Sequence, residues 1–290
     1  MSTTRLGTLV AAHGRHYEVE LQDGTRTTGY PKAKKSVYVC GDLVELSGDG
    51  QILRHAERTS LLYRSDAYRQ KLIAANVTQL VLVVATEPGF SELLLSRALV
   101  AAEHEGIRPL IVLNKCDLTN GLPAARTQLA LFGALGYRIV ELSAHNDVSL
   151  LRPLLIGETS VLVGQSGMGK STLTNALIPE AEAATREIST ALDSGKHTTT
   201  YARLYRTDDG ITLIDSPGLQ EFGLAHMTLG EIEHGFLEFR PFLGQCRFRD
   251  CRHDAEPGCA VKNGIAAGTV NAKRLEHFHQ LVSEIPDGPH

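Results

Sequence analysis

The 290-residue sequence lacks the features that would place it in a membrane or stitch it together outside the cell. No stretch reaches the roughly 18 uninterrupted apolar residues that a spanning helix needs, and the opening MSTTRLGTLV has no basic segment followed by a long apolar run. The expected address is the cytoplasm, with no membrane partner. A cationic excess is missing too: 29 Lys and Arg stand against 33 Asp and Glu, a formal charge of -4. Binding of nucleic acid by bulk charge is thereby excluded, and only a local basic face remains open. Cysteine is scarce, five in all, and an odd number with three crowded near the C-terminus argues against a disulfide framework. Cys40 and Cys116 stand alone and read as buried thiols. There is no internal repeat and no low-complexity tract.

What is present is a chain 42% hydrophobic, long enough for two domains or one with appendages. Residues 1 to about 60 carry short strand patterns at 6–12, 17–21, 37–39 and 42–46, with a turn at Gln22-Asp23-Gly24. That is a small all-β unit of OB-like or SH3-like size, and its basic loop from Pro31 to Lys35 suits either a phosphate backbone or plain solvation. From Asn76 the pattern changes to buried strands (79–84, 109–113, 137–141, 160–163, 202–205, 211–214) alternating with helices (93–105, 126–135, 170–177). This alternation implies a parallel sheet covered on both faces. The remainder holds helical patterns at 231–239 and 270–284 and few apolar residues, so it needs a staple such as a metal.

Gly164-Gln165-Ser166-Gly167-Met168-Gly169-Lys170-Ser171-Thr172 follows the apolar strand 160–163 and opens a helix, the context that a phosphate-binding loop requires. The glycines let successive N–H groups point at phosphate oxygens, and the helix N-terminus adds partial positive charge. Lys170 then reaches the β and γ phosphates, and Ser171 is placed to ligate Mg²⁺.

Asn114-Lys115-Cys116-Asp117 follows the strand 109–113, where loops after parallel strands build ligand sites. Asp117 can accept two hydrogen bonds from the N1–H and N2 amino group of guanine, an edge that adenine does not offer. Asn114 can brace the neighbouring loop and touch N7, while the Lys115 stem can lie along the base. Ser143-Ala144 ends the next strand, and a small residue there presents a backbone N–H to guanine O6. Together with the phosphate loop, these segments point to GTP and GDP as ligands.

Asp215-Ser216-Pro217-Gly218 follows the strand 211–214, the place for a carboxylate that holds Mg²⁺ through water and a glycine that senses the γ-phosphate. Between the two lies the polar segment 193–200, where one of Thr198, Thr199 and Thr200 completes the Mg²⁺ shell; Thr199 stands as the candidate, and spacing alone does not choose. The base-reading segments thus precede the phosphate loop, the reverse of the usual GTPase order, and the second switch leads directly into the C-terminal unit. Leu219 occupies the position of the water-orienting glutamine in Ras-like enzymes, and Gln220 is one place too late. Slow intrinsic hydrolysis follows, completed by a partner or by a substitute such as His226 or His197.

Cys246, Cys251, His253 and Cys259 offer three thiolates and an imidazole, enough for one closed tetrahedral Zn²⁺ per chain, with His234 as a weaker alternative ligand. Arg247, Phe248, Arg249 and Arg252 interleave with them, a face that suits RNA, although Asp250 and Asp254 offset its charge.

Over its full length the sequence resembles the RsgA (YjeQ) family of bacterial GTPases that depend on the small ribosomal subunit. The resemblance is carried by NKCDL at 114–118, GQSGMGKSTL at 164–173, GKHTTT at 195–200, DSPGLQEFGL at 215–224 and CRFRDCRHDAEPGCAV at 246–261. It implies an OB-fold barrel at 1–62, a circularly permuted α/β P-loop GTPase domain at 63–228 and a small α-helical zinc-binding domain at 229–290. It also implies a role in late maturation of the small subunit, contact with its rRNA, stimulation of GTP hydrolysis by that subunit, and a catalytic histidine that maps to His226. A monomer is expected. Two other readings stay open at this point, a P-loop ATPase or kinase in which NKCD is incidental, and an RNA-binding module that uses nucleotide only as a structural ligand.

Overall fold

A computed structural model describes residues 4–13, 16–32, 37–65, 70–179, 181, 202–216 and 223–285. Strands β1 (Arg5–Ala12), β2 (Tyr17–Leu21), β3 (Arg26–Pro31), β4 (Leu43–Leu46) and β5 (Gln51–His55) pair in the order β1-β2-β3-β5-β4, and β4 returns to β1 to close a barrel. Only β3 and β5 pair in parallel within it. This is the five-stranded OB arrangement, filled by the inward-facing Leu9, Tyr17, Val19, Val44, Leu46 and Ile52. The expected strand at 37–39 is instead a loop leading to Cys40, and β3 and β5 replace it in the barrel wall. Of the basic loop 31–35, residues 33–35 lie outside the described residues.

A hairpin of β6 (Leu61–Ser65) and β7 (Gln70–Ala75) follows, with β6 running across residue 62. It is fastened to the barrel: the Ala75 amide donates to the Cys40 carbonyl at 2.9 Å, and Asn76 Nδ2 donates to the Gly41 carbonyl at 2.9 Å.

The second unit comprises β8 (Gln79–Ala85), α1 (Glu92–His104), β9 (Arg108–Asn114), α2 (Leu122–Ala134), β10 (Arg138–Glu141), α3 (Arg152–Leu155), β11 (Thr159–Val163), α4 (Lys170–Leu177), β12 (Arg203–Arg206) and β13 (Thr212–Asp215). Its strands lie in the order β10-β9-β8-β11-β13-β12, all parallel except the pair β12 and β13. The central strand β8 is buried along its whole length, as a parallel strand covered on both faces must be. Parallel pairing also puts the ends of β8, β9, β10, β11 and β13 on one edge, so the loops after Ala85, Asn114, Glu141, Val163 and Asp215 converge there. At its β12 edge this sheet continues into the barrel through Ala11 and Arg203. Arg203 and Arg206 reinforce that junction by pairing with Glu18 and Glu20.

The C-terminal unit holds α5 (Leu229–Gly235), a 3-10 turn at Leu237–Phe242, α6 (Ala260–Ala266) and α7 (Ala272–Ser283). A capping box between Thr228 and Glu231 starts α5. Its interior is aromatic: Phe236, Phe239 and Phe278 have ring centroids 4.9–5.7 Å apart. Docking onto α1 runs through the fully buried Arg274, whose Nε donates to Glu238 Oε1 at 2.5 Å and Nη1 to Ser96 Oγ at 2.6 Å. The guanidinium lies 4.3 Å from the Phe236 centroid, so its charge is met by a carboxylate and a ring face together. Among the described residues, no helix is long and apolar enough to cross a membrane.

Candidate functional site

The phosphate loop connects β11 to α4. A side chain at Gly164 would bring its Cβ within 2.2 Å of the Val83 carbonyl oxygen, so only glycine lets the loop press on β8. Gly169 has φ +88°, and a Cβ there would lie 2.4 Å from Asn114 Nδ2. Lys170 turns its ammonium back over the loop, donating to the carbonyls of Gly164 at 2.5 Å and Gln165 at 2.8 Å. Burial lowers its pKa, and the negative charge of Asp215 opposes that shift. Asp215, at the end of β13, is raised in turn by burial, with Lys170 opposing. The two are half-buried groups of opposite charge at the edge where a metal-bound phosphate would lie. Ser166, Gly167 and Met168 form the crest of the loop, and Ser171 and Thr172 lie in the first turn of α4.

The base-reading loops are fastened to this loop by one buried side chain. Asn114 Nδ2 donates to the Met168 carbonyl at 2.9 Å, and Asn114 Oδ1 accepts from the Ala144 amide at 2.9 Å. The Ala144 N–H that the sequence assigns to guanine O6 is therefore engaged by Asn114 here. Lys115 has φ +61° and donates from Nζ to the Glu87 carbonyl at 2.8 Å, while Thr86 Oγ1 donates to the Lys115 carbonyl at 3.0 Å. Asp117 is exposed, and the neighbouring Ser143 hydroxyl holds its carboxyl below the usual carboxylate range. Ser143 Oγ is itself buried and faces the Asp117 carboxylate without a well-directed hydrogen bond.

Thr199, with Thr198, Thr200 and His197, lies outside the described residues, as do Gly218, Leu219 and Gln220. His226 is described, and it stands apart. Ser91, the cap of α1, donates its amide to Gln165 Oε1 at 2.8 Å, whereas His226 packs at the opposite end of α1 against His104 and Tyr63. A helix of 13 residues is about 20 Å long, so the structure does not bring His226 to the phosphate loop. Burial lowers its pKa, as does the charge of His104, and Glu231 opposes both.

The C-terminal ligands do converge. One ligand atom from each of Cys246, Cys251, His253 and Cys259 lies within 4.8 Å of the others. His253 Nδ1 is 3.6 Å from Cys246 Sγ, 3.6 Å from Cys251 Sγ and 3.2 Å from Cys259 Sγ. A tetrahedral ion about 2.3 Å from sulfur and about 2.0 Å from nitrogen leaves the two about 3.5 Å apart, so the four residues fit a closed metal site. The amides of Ala260 and Lys262 donate to Cys246 Sγ at 3.3 Å and Cys259 Sγ at 3.5 Å, which favours thiolates. The sequence did not reveal Glu233, on α5, whose Oε1 lies 3.2 Å from His253 Nε2 and leaves Nδ1 for the metal, although the angle falls short of a full hydrogen bond. It precedes its histidine by twenty positions on another element, with no local signature. His234 is not part of the cluster; its carbonyl accepts from Arg240.

Comparison with known proteins agrees with this geometry. The family model described as RsgA GTPase matches residues 55–225. A protein of Nitrosomonas europaea named small ribosomal subunit biogenesis GTPase RsgA is 52% identical over 287 residues, covering 97% of this chain and 91% of its own length. One of the same name from Burkholderia pseudomallei is 53% identical over 287 residues, covering 96% and 91%. Among solved structures, YjeQ from Thermotoga maritima aligns with a TM-score of 0.78 and 30% identity over 99% of this chain and 100% of its own. YloQ, described as a circularly permuted GTPase, aligns at 0.74 and 27% over 99% and 97%. With the family model spanning more than half of it and relatives more than half identical over nearly all of it, the chain belongs to the RsgA GTPase family.

Proposed function

We propose that this chain binds GTP with Mg²⁺ and hydrolyses it to GDP and phosphate on the small ribosomal subunit, whose late maturation it serves and which raises its turnover. The observation that carries the reading is the double hydrogen bond of Asn114, which locks a guanine-type loop to a phosphate loop. In this assignment Asp117 accepts from N1–H and the N2 amino group, and the Ala144 N–H is shared between Asn114 and O6. Lys170 moves from the loop carbonyls to the β and γ phosphates, and Gly164 to Thr172 supply the amides of the cradle. Ser171 and Thr199 would hold Mg²⁺, with Asp215 acting through water, and Gly218 would sense the γ-phosphate. Bound Mg²⁺ supplies charge neutralisation on the transferring phosphoryl group.

The units 1–62, 63–228 and 229–290 act as an rRNA-facing barrel, the GTPase and a knuckle stapled by one Zn²⁺. The three thiolates and one imidazole suit that ion, whose bond lengths match the separations at His253. The protein works as a monomer in the cytoplasm. His226 serves the attacking water once the second switch is rearranged on the subunit, which accounts for its position away from the phosphates in the free chain.

Competition of labelled GDP by GTP and by ATP tests the base assignment. A site that hydrogen-bonds a base edge discriminates by up to about 10⁴ to 10⁵, and equal competition by ATP would remove the guanine reading.

A further inference from the structure

Tyr63, in β6, sets its ring edge-on to the His226 imidazole with centroids 4.2 Å apart, and the His104 ring lies 6.0 Å from His226. Two groups of β6 are fastened to one carboxylate at the end of α1: the Leu61 amide donates to Glu105 Oε2 at 3.3 Å, and Tyr63 Oη donates to Glu105 Oε1 at 3.5 Å. Burial and then Glu105 push the Tyr63 pKa up to about 12, so the phenol remains a donor at neutral pH. Leu61, Leu62, Ala101 and Glu105 line the same recess as Gly223 and His226. The other strand of this hairpin is hydrogen-bonded to the barrel at Cys40 and Gly41. One hairpin therefore touches His226 with one strand and the barrel with the next.

We propose that Tyr63 is a positioning residue acting through His226: it parks the imidazole at the far end of α1, and movement of the barrel, transmitted by the β6–β7 hairpin, releases it. This rests on the assignment of His226 to the attacking water and adds what holds that group back in the free chain. The parked and released states form a two-state equilibrium, and turnover without a partner follows the released fraction. Losing one aromatic pair shifts such a population by about two- to twelvefold.

The test replaces Tyr63 by leucine and, separately, Glu105 by alanine, which frees the hairpin without removing the ring. GTP turnover is measured with and without small subunits, GDP affinity reports folding, and the His226 imidazole is followed by NMR. Subunit-free turnover is expected to rise about two- to twelvefold in Tyr63→Leu and in the same direction in Glu105→Ala, and to stay flat when either change is made in a His226→Ala background. The subunit-stimulated rate is expected to hold, so the stimulation factor shrinks by the same amount. The His226 titration in Tyr63→Leu should move up toward an ordinary histidine, a shift that loss of packing elsewhere does not produce. Unchanged subunit-free turnover in both variants, with GDP affinity intact and His226→Ala still blunting the stimulated rate, overturns the latch and leaves the assignment of His226 standing. Full stimulated turnover in His226→Ala overturns that assignment and the latch with it. Should Tyr63→Leu lose GDP binding, Glu105→Ala decides alone.

Discussion

Asn114 donates to the Met168 carbonyl at 2.9 Å across 54 positions of chain, and that bond ties the loop assigned to the base to the loop assigned to the phosphates. The same carboxamide accepts from Ala144, so three loops share one side chain that is almost wholly buried. Asn114→Ala leaves the Ala144 amide and the Met168 carbonyl without partners, at a cost of about 1–3 kcal/mol for each buried group. GDP and GTP affinity should fall together in that variant, with base preference retained, as read by competition titration.

Asp117→Asn makes the contrasting prediction. Exchange of an acceptor for a donor opposite N1 and N2 should weaken GTP by about one to two orders of magnitude and strengthen xanthosine triphosphate. Unchanged GTP affinity would take Asp117 out of the base pocket.

Purified without chelators, the protein should carry about one Zn²⁺ per chain, because sites of this type contribute apparent binding energies of about 10–16 kcal/mol. Replacing Cys251 or His253 should unfold α6 and α7 first and leave nucleotide binding largely intact, as hydrogen exchange would show. Metal analysis that finds no zinc would end the assignment.

The docking of α7 on α1 should be acid-sensitive. Ser96 Oγ accepts from Arg274 and lies 2.9 Å from His277 Nδ1, and beside that guanidinium the buried imidazole is favoured in its neutral form, whose Nδ1 can accept the Ser96 proton. Burial and then Arg274 lower the His277 pKa below 6.5, with Lys273 in the same direction and Glu92 and Glu276 opposing. Below about 6.5 the unfolded chain therefore binds a proton that the folded chain refuses; the stabilisation is complete above that pH and is lost as pH falls. The urea midpoint should drop between pH 7 and pH 5 more steeply for the native chain than for His277→Asn, whose Oδ1 can still accept from Ser96.

Much of the candidate nucleotide site is legible as a pattern because its residues lie in short contiguous runs at strand ends, as at Asn114 to Asp117 and Gly164 to Ser171. Convergence of Cys246, Cys251, His253 and Cys259 was legible from density alone. The barrel was only half visible: Gly29 and Pro31 obscure β3, and β5 begins just after the Gly48-Asp49-Gly50 turn that reads as a boundary. The burial of Arg274 has no local signature, since its partners Glu238 and Ser96 are 36 and 178 positions away. The place of His226 was equally hidden, for it is decided by Tyr63 and His104, both distant in sequence.

GTP turnover by the purified chain alone, with small ribosomal subunits and with large ones, tests the central claim most directly. Leu219 in place of a water-orienting glutamine and His226 packed at the end of α1 opposite the phosphate loop both leave the free chain poorly equipped to hydrolyse. Partner-supplied groups raise turnover by about 10³ to 10⁵ in other GTPases. Strong stimulation by small subunits and little by large ones is the predicted result, with His226→Ala lowering the stimulated rate while GTP affinity holds. Turnover that is equally fast in all three samples would contradict the account.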